Sequence, residues 1–153
     1  MNFKFMTDAD YMRIALAEAE ISAESGEVPI GALVVLGDRV IARSGNRTIA
    51  DCDPSGHAEI VALRAAAQAI GNYRMPEATM YVTVEPCAMC AGAMIQARIN
   101  RLVYGCDDPK GGAARSCFSI FEHPSLNHRI EVTAGVLAPD CARILQTFFA
   151  ARR

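Results

Sequence analysis

An α/β layered domain is the architecture this sequence predicts, and three features predict it. Apolar runs of strand length alternate with stretches whose apolar residues recur at helical spacing. Turn signals built on glycine, asparagine and proline separate them. At 153 residues, 52% hydrophobic and 21% charged, the chain suits one globular domain with a real core. It carries no internal repeat or linker, so residues 1–153 read as a single domain.

Thr7 is suited to open the first helix, with Asp10 three residues on in a capping-box arrangement. Met12, Leu16, Ala19 and Ala23 continue its apolar face, Glu18, Glu20 and Glu24 its solvated face, and Gly26 is the stop. Residues 29–36 form a nearly continuous apolar run, short enough for a buried strand. Gly37-Asp38 then turns the chain into a second strand over residues 39–44. A polar stretch from Gly45 through Asp51, Asp53 and Pro54 leads into His57, so it is placed to line any site that this histidine forms.

Residues 56–70, dense in alanine, predict the second helix, ended by Gly71-Asn72. Residues 79–84 predict a strand, with Pro86 marking its end, and Cys87 begins a third helix reaching roughly Arg98. Residues 101–105 follow as a short strand. Asp107 to Gly112 is loop, 117–121 a short helical turn, and 130–136 a last strand. Pro139 suits the start of the final helix, which carries Ile144, Leu145, Phe148 and Phe149 and ends in Arg152-Arg153.

Charge and cysteine usage narrow the function classes. A formal net charge of −2 argues against a generally basic nucleic-acid coat, so any RNA contact must come from a focused surface. No apolar run approaches the roughly 20 residues that cross a bilayer, and the N-terminus lacks the pattern of a signal peptide. Six cysteines in a chain of this size point to a reduced, cytoplasmic protein rather than a disulfide scaffold. Cys52, Cys106, Cys117 and Cys141 are scattered and read as plain structural thiols.

Cys87 and Cys90 differ, because Glu85-Pro86-Cys87-Ala88-Met89-Cys90 has metal-ligand spacing. His57, thirty positions earlier, adds an imidazole, and three protein ligands is the count of a catalytic zinc. Two cysteines three apart share a helix face, and a helix N-terminus favours thiolate over thiol. Glu59 is the acid/base candidate beside them. On an ideal helix, residues two apart point nearly opposite ways, so spacing alone does not bring Glu59 to His57. A structural zinc closes with a fourth protein ligand; His123 and His128 are the candidates, but neither has ligand spacing and both read as loop histidines.

His-x-Glu followed by Pro-Cys-x-x-Cys is the signature of zinc-dependent nucleobase deaminases. The flanking segments carry a closer resemblance: Glu27-Val28-Pro29-Ile30-Gly31-Ala32, Asn46-Arg47, Asp53-Pro54, Ala91-Gly92-Ala93, Ala97-Arg98-Ile99, Asn127-His128-Arg129 and the end from Phe148 to Arg153. Nearly end to end, the chain resembles the bacterial tRNA-specific adenosine deaminases of the cytidine deaminase-like superfamily. That resemblance implies a three-layer α/β/α fold with a central mixed sheet of about five strands, and conversion of the wobble adenosine of a tRNA anticodon to inosine.

It also implies one zinc ion per subunit on His57, Cys87 and Cys90, with Glu59 as proton shuttle. Asn46 would hydrogen-bond the flipped-out base, with Ile30, Ala58 and Val84 at the pocket. Asp108, Lys110 and Phe149 would approach the RNA, and the family is homodimeric. The bland alternatives are a loop-capping role for Asn46, a mobile turn at Asp108 and Lys110, and a core contact for Phe149. Arg115 and Cys106 depart from the family pattern, which tends to glycine and alanine there. Two competing functions remain at this level: a deaminase of a free nucleobase or nucleoside of guanine or cytosine type, and a non-catalytic RNA-binding subunit with a structural zinc.

Overall fold

In the computed structural model, which describes residues 5–152, Thr7 opens α1 (Asp8–Glu24) through a complete capping box. The Asp10 amide donates to Thr7 Oγ1 at 3.2 Å and the Thr7 amide to Asp10 Oδ2 at 2.9 Å. Past the helix end, Gly26 takes the left-handed conformation (φ 82°) that its place as a stop requires. Strand β1 (Gly31–Leu36) starts two residues later than its apolar run, because Pro29 has no amide and Ile30 donates to Val28 O at 2.9 Å. It pairs antiparallel with β2 (Arg39–Gly45).

Then come α2 (Ala58–Ile70), β3 (Ala78–Val84), α3 (Ala88–Gln96), β4 (Arg101–Cys106), a 3₁₀ turn (Ile120–Glu122), β5 (Glu131–Thr133) and α4 (Ala138–Ala150). The sheet runs β2-β1-β3-β4-β5, with β1 antiparallel to both neighbours and β4 parallel to both of its own. It is therefore the mixed five-stranded sheet that the resemblance implies.

Alternation along the strands splits the core in two. Ala32, Val34, Met80, Val82, Leu102 and Tyr104 face α2 and α3. Leu33, Val35, Tyr81 and Val103 face α1 and α4. The result is three layers. Helix α1 lies directly on the sheet at the paired Gly31 and Gly45, where a Cβ would strike the Ala15 carbonyl or the Ser22 hydroxyl.

Two expectations shift. The helical turn expected over 117–121 sits at Ile120–Glu122, and the strand expected over 130–136 is only Glu131–Thr133. Beyond it, Gly135 (φ 87°) and Leu137 (φ 53°) turn the chain into α4, although the Gly135 and Val136 amides still donate to β4 carbonyls. Arg153, expected at the end of the last helix, lies outside the described residues.

Candidate active site

Two helix starts meet on the α2/α3 side of the sheet. His57 is the N-cap of α2 and Cys87 the N-cap of α3, and both hold extended backbone. Cys90 stands three residues into α3, so it faces Cys87 as the two partners of a capping box face one another. His57 Nδ1 lies 3.5 Å from Cys87 Sγ and 3.5 Å from Cys90 Sγ. All three ligand atoms fall within 4.8 Å of one another, a group that can hold a metal ion.

The extended backbone of His57 resolves the spacing problem at Glu59. Because His57 precedes the helix, the opposite-face rule for residues two apart does not govern this pair. Glu59 is 4% exposed and interacts with Cys90. Burial pushes its carboxyl pKa up, against the pull of a backbone hydrogen bond and of His57.

Hydrogen bonds from Cys90 and His57 hold the Cys87 thiol down at about 3, against burial. The same Cys87–Cys90 bond, then burial, pushes Cys90 up, while the bond to Cys87 raises His57. A cation bound by the two sulfurs would displace their protons, since the thiolate is the form that ligates metal.

Asn46 is 7% exposed and its Oδ1 is buried without a partner. Its amide donates to Ile30 O at 3.0 Å, joining two of the residues singled out in the sequence. Ile30 is half-buried and touches both cores, Val84 is buried on the α1/α4 side, and Ala58 is wholly buried as the first residue of α2. The Asp108 carboxylate accepts from the amides of Lys110 (3.1 Å) and Gly111 (3.3 Å), which makes a defined turn there. Lys110 is exposed, and so is Phe149 (48%), whereas Phe148 next to it is buried.

His123 is exposed, and His128 Nε2 lies 2.6 Å from the Ile99 carbonyl; neither joins the metal-ligating group. Arg115 forms a two-pronged ion pair with Asp107 at 3.0 Å. Burial pushes the Cys106 thiol up to about 11 and Cys141 up to about 12. Cys52 and Cys117 are exposed, and their thiols donate to loop carbonyls, Cys52 to Ile49 O at 3.8 Å and Cys117 to Pro109 O at 3.1 Å.

Sequence reasoning gave no role to two buried glutamates. Glu27 accepts from the amides of Ile49 (2.9 Å) and Ala50 (3.3 Å) and so holds the loop that begins at Asn46. Glu85, 3% exposed at the end of β3, holds the loop after β4. Burial pushes Glu85 up, but hydrogen bonds from Arg115, Ser116 and Asp108 outweigh it and bring its carboxyl to about 2. For Glu85 the signal in the sequence was an acid directly following an apolar strand, whereas Glu27 lies four residues before β1.

Comparison with known proteins agrees with this geometry. Residues 6–153 match the MafB19-like deaminase family. A tRNA-specific adenosine deaminase of Agrobacterium fabrum is 50% identical over 143 residues, covering 94% of each chain. One from Haemophilus influenzae is 48% identical over 147 residues, covering 95% of this chain and 85% of its own. A solved structure from studies of A-to-I editing by tRNA:A34 deaminases at the wobble position superposes with a TM-score of 0.86 at 50% identity, covering 88% of this chain and 98% of the other.

Proposed function

The chain belongs to the MafB19-like deaminases and, within them, to the tRNA-specific adenosine deaminases, and from that membership we propose that it hydrolyses the wobble adenosine of a tRNA anticodon to inosine and ammonia. The observation that carries this is the His57, Cys87 and Cys90 trio with Glu59 buried against it. Zinc is the proposed ion, one per subunit. Two thiolates and an imidazole are its preferred donors, and three protein ligands leave a position open. The 3.5 Å separations support it, since a tetrahedron with zinc's usual bond lengths has a sulfur–nitrogen edge of about 3.6 Å. Bound there, zinc supplies the Lewis acidity that lets water act as a nucleophile near neutral pH.

The protein's own groups do the rest. In this proposal Glu59 accepts the proton that the attacking water gives up and delivers it to N1 of the adenine as C6 is attacked. It then carries a second proton to the departing amine, and burial, which raises its proton affinity, suits both transfers. Asn46 orients the base: a donor on the flipped-out adenine would satisfy Oδ1, whose burial without one costs about 1–3 kcal/mol. Ile30 and Ala58 supply apolar walls that exclude water, whereas Val84, expected beside them, is buried on the α1/α4 side of the sheet.

Asp108, Lys110 and Phe149 contact the surrounding RNA, with the exposed Phe149 ring available for stacking on an unpaired base. We further propose a homodimer, supported by an open apolar groove of about 340 Å³ between α2 and α3, lined by Ile60, Leu63, Ala67, Met75 and Ala93 under the exposed Tyr73. One deaminase domain over residues 1–153 and a cytoplasmic setting complete the proposal, the latter supported by six unpaired cysteines. No helix among the described residues is long and apolar enough to cross a membrane.

The test is inosine formation in an anticodon stem-loop bearing a wobble adenosine. Glu59→Ala is expected to lower turnover by at least about 100-fold while retaining its zinc, read by elemental analysis. A zinc-loaded wild type that leaves the stem-loop unconverted would refute the substrate assignment.

A further inference from the structure

The Glu85 carboxylate is saturated by one loop. Its Oε2 accepts three consecutive amides, Ala114 at 3.0 Å, Arg115 at 2.9 Å and Ser116 at 2.9 Å. Its Oε1 accepts the Asp108 amide at 3.0 Å and the Ser116 hydroxyl. Two backbone bonds flank this centre: the Glu85 amide donates to Cys106 O at 2.9 Å, and the Ala113 amide donates to Pro86 O at 2.8 Å. Among the described residues no cation forms an ion pair with it, and the neighbouring Arg115 guanidinium is hydrogen-bonded to Asp107 instead. Convergent amides make a concave anion site, and here the protein fills it with its own side chain.

Gly112 fits the same picture. A Cβ at this residue would overlap all three atoms of the Glu85 carboxylate, although its backbone is not left-handed. Glycine is needed for space, and the carboxylate is what needs it.

We propose that Glu85 is a positioning residue that clamps the 107–116 loop, and with it Asp108 and Lys110, to the strand end leading through Pro86 into Cys87. Its consequence for RNA rests on the deaminase function proposed above. The five donors occupy the carboxylate's lone pairs, so it has no free site for a water and no part in proton transfer. Losing it loosens RNA binding and leaves the chemical step intact.

Glu85→Gln tests this, because an amide has one acceptor oxygen and must turn an NH₂ group toward donors. With zinc content unchanged, KM for the stem-loop is expected to rise about ten-fold or more and kcat to change less than about three-fold. Both limbs of the pH–rate profile should stay in place. Hydrogen exchange at the 114–116 amides should quicken by at least about ten-fold. Gly112→Ala should reproduce these effects by displacement, and should add nothing further in a Glu85→Ala background.

A fall in kcat with shifted pH limbs would overturn the proposal by putting Glu85 in the chemistry. Unchanged exchange at 114–116 would overturn it by removing the clamp. Should the wild type fail on the stem-loop, the deaminase function falls, while the exchange rates still decide whether the clamp exists.

Discussion

Asn46 is buried with an amide oxygen that meets no donor among the described residues, so its side chain contributes little to the fold and is free to serve a ligand. Asn46→Ala removes that unsatisfied oxygen, so the melting temperature is expected to hold or rise by a few degrees while kcat/KM on a wobble-adenosine stem-loop falls by about ten-fold or more. A large loss of stability would instead make Asn46 a structural loop cap. The three residues that can hold a metal ion were readable at this scale, because metal chemistry demands particular residue types. Glu27 and Glu85 were not readable. A carboxylate satisfied by backbone amides leaves no complementary side chain in the sequence to reveal it.

Helix α4 puts two adjacent phenylalanines in opposite circumstances. Phe148 is 8% exposed and lies under the Arg152 guanidinium, 3.4 Å from its ring centre, whereas Phe149 is 48% exposed. Phe148→Ala is expected to cost about 3 kcal/mol by thermal or denaturant unfolding. Phe149→Ala should leave stability unchanged and weaken stem-loop binding by 1–3 kcal/mol, about 5- to 150-fold, in a direct binding titration. Equal destabilisation by the two would return Phe149 to the core. Helical periodicity marked the helix as amphipathic, but it could not rank two neighbours at the edge of the apolar stripe. Elements bounded by caps were the most legible, as at Thr7, whereas β5 was overestimated because the left-handed Gly135 and Leu137 end the regular ladder after Thr133 and turn the chain into α4.

Across the whole molecule, Asp8 ties the start of α1 to the sheet. Arg101 on β4 donates to both of its carboxylate oxygens, at 2.9 and 2.7 Å, Tyr81 on β3 donates at 2.8 Å, and Arg101 also reaches Thr133 on β5. The Arg101 hydrogen bond holds the Asp8 pKa below 3.8, outweighing burial. A depressed carboxyl pKa stabilises the fold fully above 3.8, and that contribution is lost as pH falls through the lower folded value. Asp8→Asn is thus expected to destabilise by on the order of 1 kcal/mol at neutral pH, the partial exposure of the pair limiting the effect. The gap to wild type should close as thermal melts are taken progressively below pH 3.8. A gap that persists in acid would assign the loss to shape rather than charge.

The sequence by itself determined the α/β class, the order of the elements, the three residues that can hold a metal ion and the proton-transfer candidate, because these follow from local periodicity and fixed donor chemistry. Only the tertiary structure decided that His57 and Cys87 both stand outside their helices as N-caps, which is what brings Glu59 to the site. It alone exposed the two glutamates that hold the loops around that site. Their partners are backbone amides 22 to 31 residues away, and every residue type but proline carries an amide, so no sequence pattern marks the pairing.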